Sequence, residues 1–182
     1  MEKKTYTLHV AGLTRELTLC PVSDTLDIAA FIMFSDVELT IACAEALHQI
    51  VPDYDVLITA ESKGIPLAYE MSRQSGKKYL LARKSKKLYM KKAIKVDVRS
   101  ITTDRLQELY LDIDDMEYIS GKRVLIVDDV ISTGESMAAL EQLVEKAGGK
   151  IVGKAAVLAE GDAASRKDIL FLEPLPLFPN EG

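Results

Sequence analysis

The sequence predicts an α/β fold, a central, mostly parallel sheet flanked by helices. Three observations predict it. Short apolar runs of strand length alternate with longer helical segments, as in strands joined by crossover helices. The run Val124-Leu125-Ile126-Val127 is apolar throughout, as a strand buried on both faces must be. The chain has 182 residues, 48% hydrophobic and 28% charged, an ordinary globular mix. At that length about 70% of the unfolded surface is buried, so no disulfide or metal is needed for folding.

The elements follow in order. Thr5 to Val10 and Arg15 to Leu19 form a hairpin around Ala11-Gly12. Pro21 to Asp24 is a turn, and Leu26 to Phe34 is an apolar covering stretch. Asp36 to Ile50 reads as a helix with Val37, Ile41, Ala44, Leu47 and His48 on one face. Asp55 to Thr59 is a buried strand, Ile65 to Gln74 a helix stopped near Gly76, and Lys78 to Ala82 a strand. Residues 84–105 are polar and basic with weak periodicity and read as a long loop, a length usually reserved for functional lids. Leu106 to Ile113 is a returning strand and Arg123 to Val127 a buried one. Gly134 to Ala147 is a helix ending at Gly148-Gly149, and Lys150 to Ala159 a further strand. The proline-containing tail reads as irregular. There is no internal repeat and no linker, so residues 1–182 are expected to form one domain.

Several function classes are set aside by composition. No apolar run reaches about 18 residues, so no membrane-spanning helix is expected. Met1 to Thr5 leads into alternating residues, unlike a signal peptide. Cys20 and Cys43 lack metal-ligand spacing and read as reduced, buried thiols of a cytoplasmic protein. His9 and His48 read as structural. The net charge of −5 is uneven: Met71 to Val96 holds ten bases and no acid, leaving 13 bases against 28 acids elsewhere. A basic stretch in an acidic chain suits a polyanion. The acidic remainder opposes a nucleic-acid duplex, and only Tyr79 and Tyr89 interleave with the bases, so a small, highly phosphorylated ligand fits better.

The chemistry concentrates in Val124-Leu125-Ile126-Val127-Asp128-Asp129-Val130-Ile131-Ser132-Thr133-Gly134-Glu135-Ser136. Two carboxylates stand at the C-terminal end of a strand, where open α/β sheets bind ligands. A turn of small hydroxyl residues and one glycine then opens a helix, whose N–H groups form an anion site. Ser132, Thr133 and Ser136 add hydroxyls, and Gly134 permits close approach. A phosphate belongs in the turn, and vicinal hydroxyls belong on Asp128 and Asp129: together, a ribose 5-phosphate. No glycine-lysine pair closes the turn, so it is not a Walker loop.

This ordered segment resembles the phosphoribosyl-pyrophosphate (PRPP) signature of the type I phosphoribosyltransferases. The resemblance extends over most of the chain and implies that family's fold, with a small N-terminal hood from about residues 1–35. Glu135 departs from many members, which have a small residue there. Its carboxylate should turn outward and lend only its N–H to the 5′-phosphate loop of residues 132–136. Thr59 to Pro66 looks like the family's pyrophosphate loop, placing Ser62 and Lys63 on pyrophosphate and implying a non-proline cis peptide at Ser62–Lys63. Arg83, Lys84 and Lys87 resemble pyrophosphate contacts of adenine phosphoribosyltransferases, which often reach across a dimer. Asp97 to Arg105, with Ser100, Ile101, Thr102 and Thr103, looks like the mobile catalytic loop and is closer to xanthine-type members. Val22, Ile28, Phe31, Met33 and Phe34 sit where the hood covers the base, and Glu160 ends a strand at the same face.

The resemblance implies a purine phosphoribosyltransferase of purine salvage, adenine favoured, that releases pyrophosphate through an oxocarbenium-like transition state. It implies Mg²⁺ held through PRPP rather than by direct protein ligands, and a homodimer. The alternatives are a 6-oxopurine enzyme (xanthine or hypoxanthine), an orotate enzyme suggested by Lys63-Gly64-Ile65-Pro66 alone, and a non-catalytic PRPP sensor. The sensor relatives carry a winged-helix domain first, and no DNA-binding helix pair precedes residue 36 here.

Overall fold

The computed structural model of the chain describes residues 4–90, 92–99 and 106–180. β1 (Thr5–Val10), β2 (Leu13–Ser23) and β3 (Leu26–Ala29) open the chain as antiparallel strands. Helix α1 (Val37–His48) follows, then β4 (Val56–Ala60), α2 (Ile65–Ser75) and β5 (Tyr79–Ala82). β6 (Ala93–Arg99) and β7 (Leu106–Asp112) form an antiparallel pair, and α3 (Ile113–Ile119) leads into β8 (Arg123–Ile131). α4 (Glu135–Lys146), β9 (Lys150–Glu160), a short 3-10 turn (Gly161–Ser165), β10 (Leu170–Leu175) and β11 (Phe178–Pro179) complete it.

Five strands make a parallel sheet in the order β10-β9-β8-β4-β5. Its residues alternate between two apolar layers, as the period-2 pleat requires. Val56, Ile58, Val124 and Ile126 meet α4 through Leu140, Leu143 and Val144. Leu57, Leu125 and Val127 meet α1, α2 and the N-terminal strands through Leu39, Leu47, Met71 and Leu8. β4 continues outward to β5, whereas β8 continues to β9 on the opposite side, so the strand order reverses between β4 and β8. That reversal opens the crevice in which such sheets hold ligands.

A four-stranded sheet, β1-β2-β3-β11, borders this crevice, Ile28 on β3 and the following Phe31 sharing a cavity with Lys63 and Val130. Arg15 on β2 fixes it to the start of α1: its guanidinium reaches Asp36 at 2.7 Å and Glu38 at 2.7 Å. Asp36 also caps α1, accepting the Leu39 N–H at 3.0 Å. The Arg15 guanidinium holds the Asp36 carboxyl below the usual carboxylate range.

Several sequence expectations change. Ala44 and Leu47 are buried as expected, but Val37 and Ile41 are exposed and Leu39 and Cys43 are buried in their place, because the helix is apolar on most sides and its stripe is ambiguous. Cys43 is buried but Cys20 only half-buried, and both are free. Residues 93–99 are a strand rather than part of a loop, and α3 follows β7 where no helix was expected. The tail supplies β10 and β11, with Pro174 tolerated because β10 is an edge strand. Ser100, Ile101, Thr102 and Thr103, expected in a catalytic loop, lie outside the described residues. Among the described residues no helix is long and apolar enough to cross a membrane.

Candidate active site

Two loops meet at the reversal point. The first leaves β4 at Ala60 and runs through Glu61, Ser62, Lys63 and Gly64 into α2. Its non-proline cis peptide is Glu61–Ser62, one residue before the expected position. Gly64 is required by close approach: a Cβ there would lie 2.3 Å from Thr59 Oγ1 and 3.1 Å from Asp128 Oδ1. The second loop leaves β8 and enters α4 through Gly134, whose φ of +82° is the left-handed conformation that glycine adopts without strain.

Asp128 and Asp129 lie between these loops. The Asp129 side chain is 3% exposed, and the Lys63 ammonium stands 3.0 Å from its Oδ2. The Asp129 N–H donates to Asp128 Oδ1 at 2.9 Å. Burial, followed by the neighbouring Asp129 charge, pushes the Asp128 carboxyl up to about 8. Both acids line a cavity of about 180 Å³ with Ser62, Lys63, Lys84 and Ser136. A second, adjoining cavity of about 130 Å³ is formed by the turn itself, with Ser132, Thr133, Gly134, Glu135 and Ser136 on its wall.

The expected pyrophosphate residues separate. Ser62, Lys63 and Lys84 line the cavity beside the aspartates. Arg83 lines a different cavity, and its Nε lies 3.0 Å from Glu61 Oε1. Lys87 donates to Ser85 Oγ at 2.8 Å and does not line the aspartate cavity. Glu61 was not singled out by sequence reasoning. Its carboxylate accepts the Lys84 backbone N–H at 2.8 Å and so joins the two basic segments. Thr59 was also missed: its hydroxyl is buried without a hydrogen-bond partner beneath Gly64. Neither role has a signal in the sequence beyond proximity to the loop.

Under the N-terminal sheet a cavity of about 280 Å³ is lined by Ile28, Phe31, Val130 and Leu175, with Lys63 and Glu160 at polar positions. Phe31 and Glu160 therefore stand where a planar apolar group would be held. Val22 and Phe34 do not line it: Val22 is 55% exposed on β2 and Phe34 48% exposed. Met33 is buried in the core and lines a different cavity, toward α1 and α2.

Known proteins are similar to this chain in sequence and in fold. The chain is 32% identical over 146 residues to a hypoxanthine/guanine phosphoribosyltransferase of Methanococcus voltae, covering 80% of this chain and 72% of that protein. It is 36% identical over 130 residues to an adenine phosphoribosyltransferase of Rubrobacter xylanophilus, covering 71% and 66%. The crystal structure of adenine phosphoribosyltransferase from Thermoanaerobacter pseudethanolicus superposes with a TM-score of 0.72 at 18% identity, covering 87% of this chain and 95% of that one, and shows the shared fold. Residues 36–175, well over half of the chain, match the family model of the phosphoribosyl transferase domain, and the chain belongs to that family.

Proposed function

We propose that the protein transfers ribose 5-phosphate from PRPP to a purine base, adenine first, with release of pyrophosphate. The observation that carries this is the pair Asp128-Asp129, set between a lysine-bearing loop and a left-handed glycine turn that opens a helix. Ribose hydroxyls would donate to the two carboxylates. The 5′-phosphate would lie in the turn at residues 132–136, where backbone N–H groups at a helix start favour anions. Pyrophosphate would lie against Ser62, Lys63 and Lys84. Asp129, already beside Lys63, would keep that ammonium aimed into the site.

The chain's own work is positioning and charge stabilisation. Asp129 would place negative potential near a sugar ring that becomes cationic, and Lys63 and Lys84 would offset the charge leaving with pyrophosphate. Mg²⁺ would be held through PRPP, whose phosphate oxygens are the hard donors it takes. When bound, Mg²⁺ would make pyrophosphate a better leaving group. The β1-β2-β3-β11 sheet would act as the hood, with β11 added by the tail. We place the protein in the cytoplasm as a homodimer, with the basic loop that exposes Leu88 and Tyr89 as a contact to the second copy.

Adenine is favoured because Glu160 can only accept hydrogen bonds when ionised, which suits an exocyclic amine. A 6-oxopurine is the second reading, supported by relatives named for hypoxanthine and guanine. Replacing Asp128 and Asp129 together by asparagine should cut turnover at least about 100-fold, equivalent to about 2.7 kcal/mol of barrier. Near-normal nucleotide formation by that double variant would overturn the assignment.

A further inference from the structure

Among the described residues, the turn expected to hold the substrate phosphate has no basic residue on its wall. The ionisable residues there are Asp128 and Glu135, both acids. A dianionic phosphate in that place would meet helix N–H groups and hydroxyls.

A cation stands just outside that wall. Arg166 follows the 3-10 turn after β9, and its guanidinium lies against Gly134. A Cβ built on Gly134 would fall 2.5 Å from Arg166 Nη1 and 3.7 Å from Cζ. The absent side chain of Gly134 thus makes room for the guanidinium as well as for the turn. Arg166 is held in place from behind: its Nε donates to Asp168 Oδ1 at 3.0 Å and its Nη2 to Asp168 Oδ2 at 2.7 Å. Asp168 is itself anchored by Lys154 at 2.7 Å, and Lys154 reaches Glu141 on α4 at 3.0 Å. The fork geometry of arginine leaves Nη1 directed at the turn while the other two nitrogens are occupied.

We propose that Arg166 is a binding residue for the substrate's 5′-phosphate, supplying through Nη1 the positive charge that the wall of the turn lacks. The inference rests on the reading of residues 132–136 as the phosphate site. It assigns a task to a residue between β9 and β10, in a segment whose sequence shows no motif.

The test uses two probes on the full chain, ribose 5-phosphate and inorganic pyrophosphate, each titrated calorimetrically. Arg166→Gln should weaken ribose 5-phosphate binding at least about 10-fold, the size expected for one hydrogen bond to a charged group. Pyrophosphate binding should hold within about 2-fold, and in steady state the KM for PRPP should rise while the KM for the base stays level. Arg166→Lys, which keeps the charge, should bind ribose 5-phosphate within about 3-fold of the unaltered chain; if the glutamine variant does not fold, Arg166→Met takes its place with the same expected loss. Unchanged ribose 5-phosphate affinity in Arg166→Gln would overturn the proposal, as would equal losses of both probes, the mark of a structural brace. If the unaltered chain binds neither ribose 5-phosphate nor PRPP, the phosphate-site reading itself fails. If it binds both, and Arg166→Gln binds ribose 5-phosphate as tightly as the unaltered chain, the role of Arg166 alone is refuted.

Discussion

Asp128 and Asp129 are neighbours in the chain but not in environment. Asp129 is buried beside the Lys63 ammonium, whereas Asp128 stands at the cavity wall and is pushed up to about 8 by burial and by Asp129. An unfolded aspartate ionises near about 3.9. Between about pH 4 and pH 8 the unfolded chain therefore ionises Asp128 while the folded one resists, so this group costs stability as pH rises through that window. Asp128→Asn should raise the thermal midpoint at pH 7, with the advantage fading toward pH 4. A thermal scan at both pH values checks it, and a lower midpoint at pH 7 would contradict it. The same pair was legible in the sequence because strand, carboxylates, turn and helix start are contiguous. Glu61, Thr59 and Arg166 were not, because each acts on residues brought near only by the fold.

The two loops are set by the strands they leave. β4 and β8 are adjacent and parallel, pairing Val56 with Val124 and Ile58 with Ile126, so their C-terminal ends deliver both loops to one crevice. Gly64 lets them close on each other. Gly64→Ala should destabilise by about 1–3 kcal/mol, as overpacking does. Thr59→Ala removes the hydroxyl that the new methyl would strike, so the double variant should recover part of that loss. Denaturant unfolding of the two single variants and the double reads the coupling, and strict additivity would contradict this contact. The central strands were legible from their apolar runs. β6 was hidden although Ile94-Lys95-Val96-Asp97 alternates, because the surrounding lysines suggested a loop. β10 was hidden by its proline, which an edge strand can carry.

At the scale of the molecule, the basic stretch of residues 71–96 is less free than its composition implies. Arg73 pairs with Glu70, Lys77 with Asp53, Lys78 with Asp115, Arg83 with Glu61 and Lys95 with Glu108. Lys84 is the member that reaches the aspartate cavity, so the polyanion clamp narrows to a local feature. The tail ties the hood to the main sheet: Phe178 pairs with Asp27 on β3, and the Asn180 N–H donates to Thr25 at 2.8 Å. A chain ending at Pro176 should raise the KM for the base more than the KM for PRPP, read by steady-state kinetics. Equal changes would argue that the tail stabilises the whole fold instead. The central claim is tested most directly by one endpoint assay. The protein is incubated with PRPP, Mg²⁺ and, separately, adenine, hypoxanthine, guanine, xanthine or orotate, and the nucleotide formed is quantified. The account predicts a purine monophosphate, adenine first, with formation lost when Mg²⁺ is chelated. No nucleotide from any purine, or product from orotate alone, would contradict it.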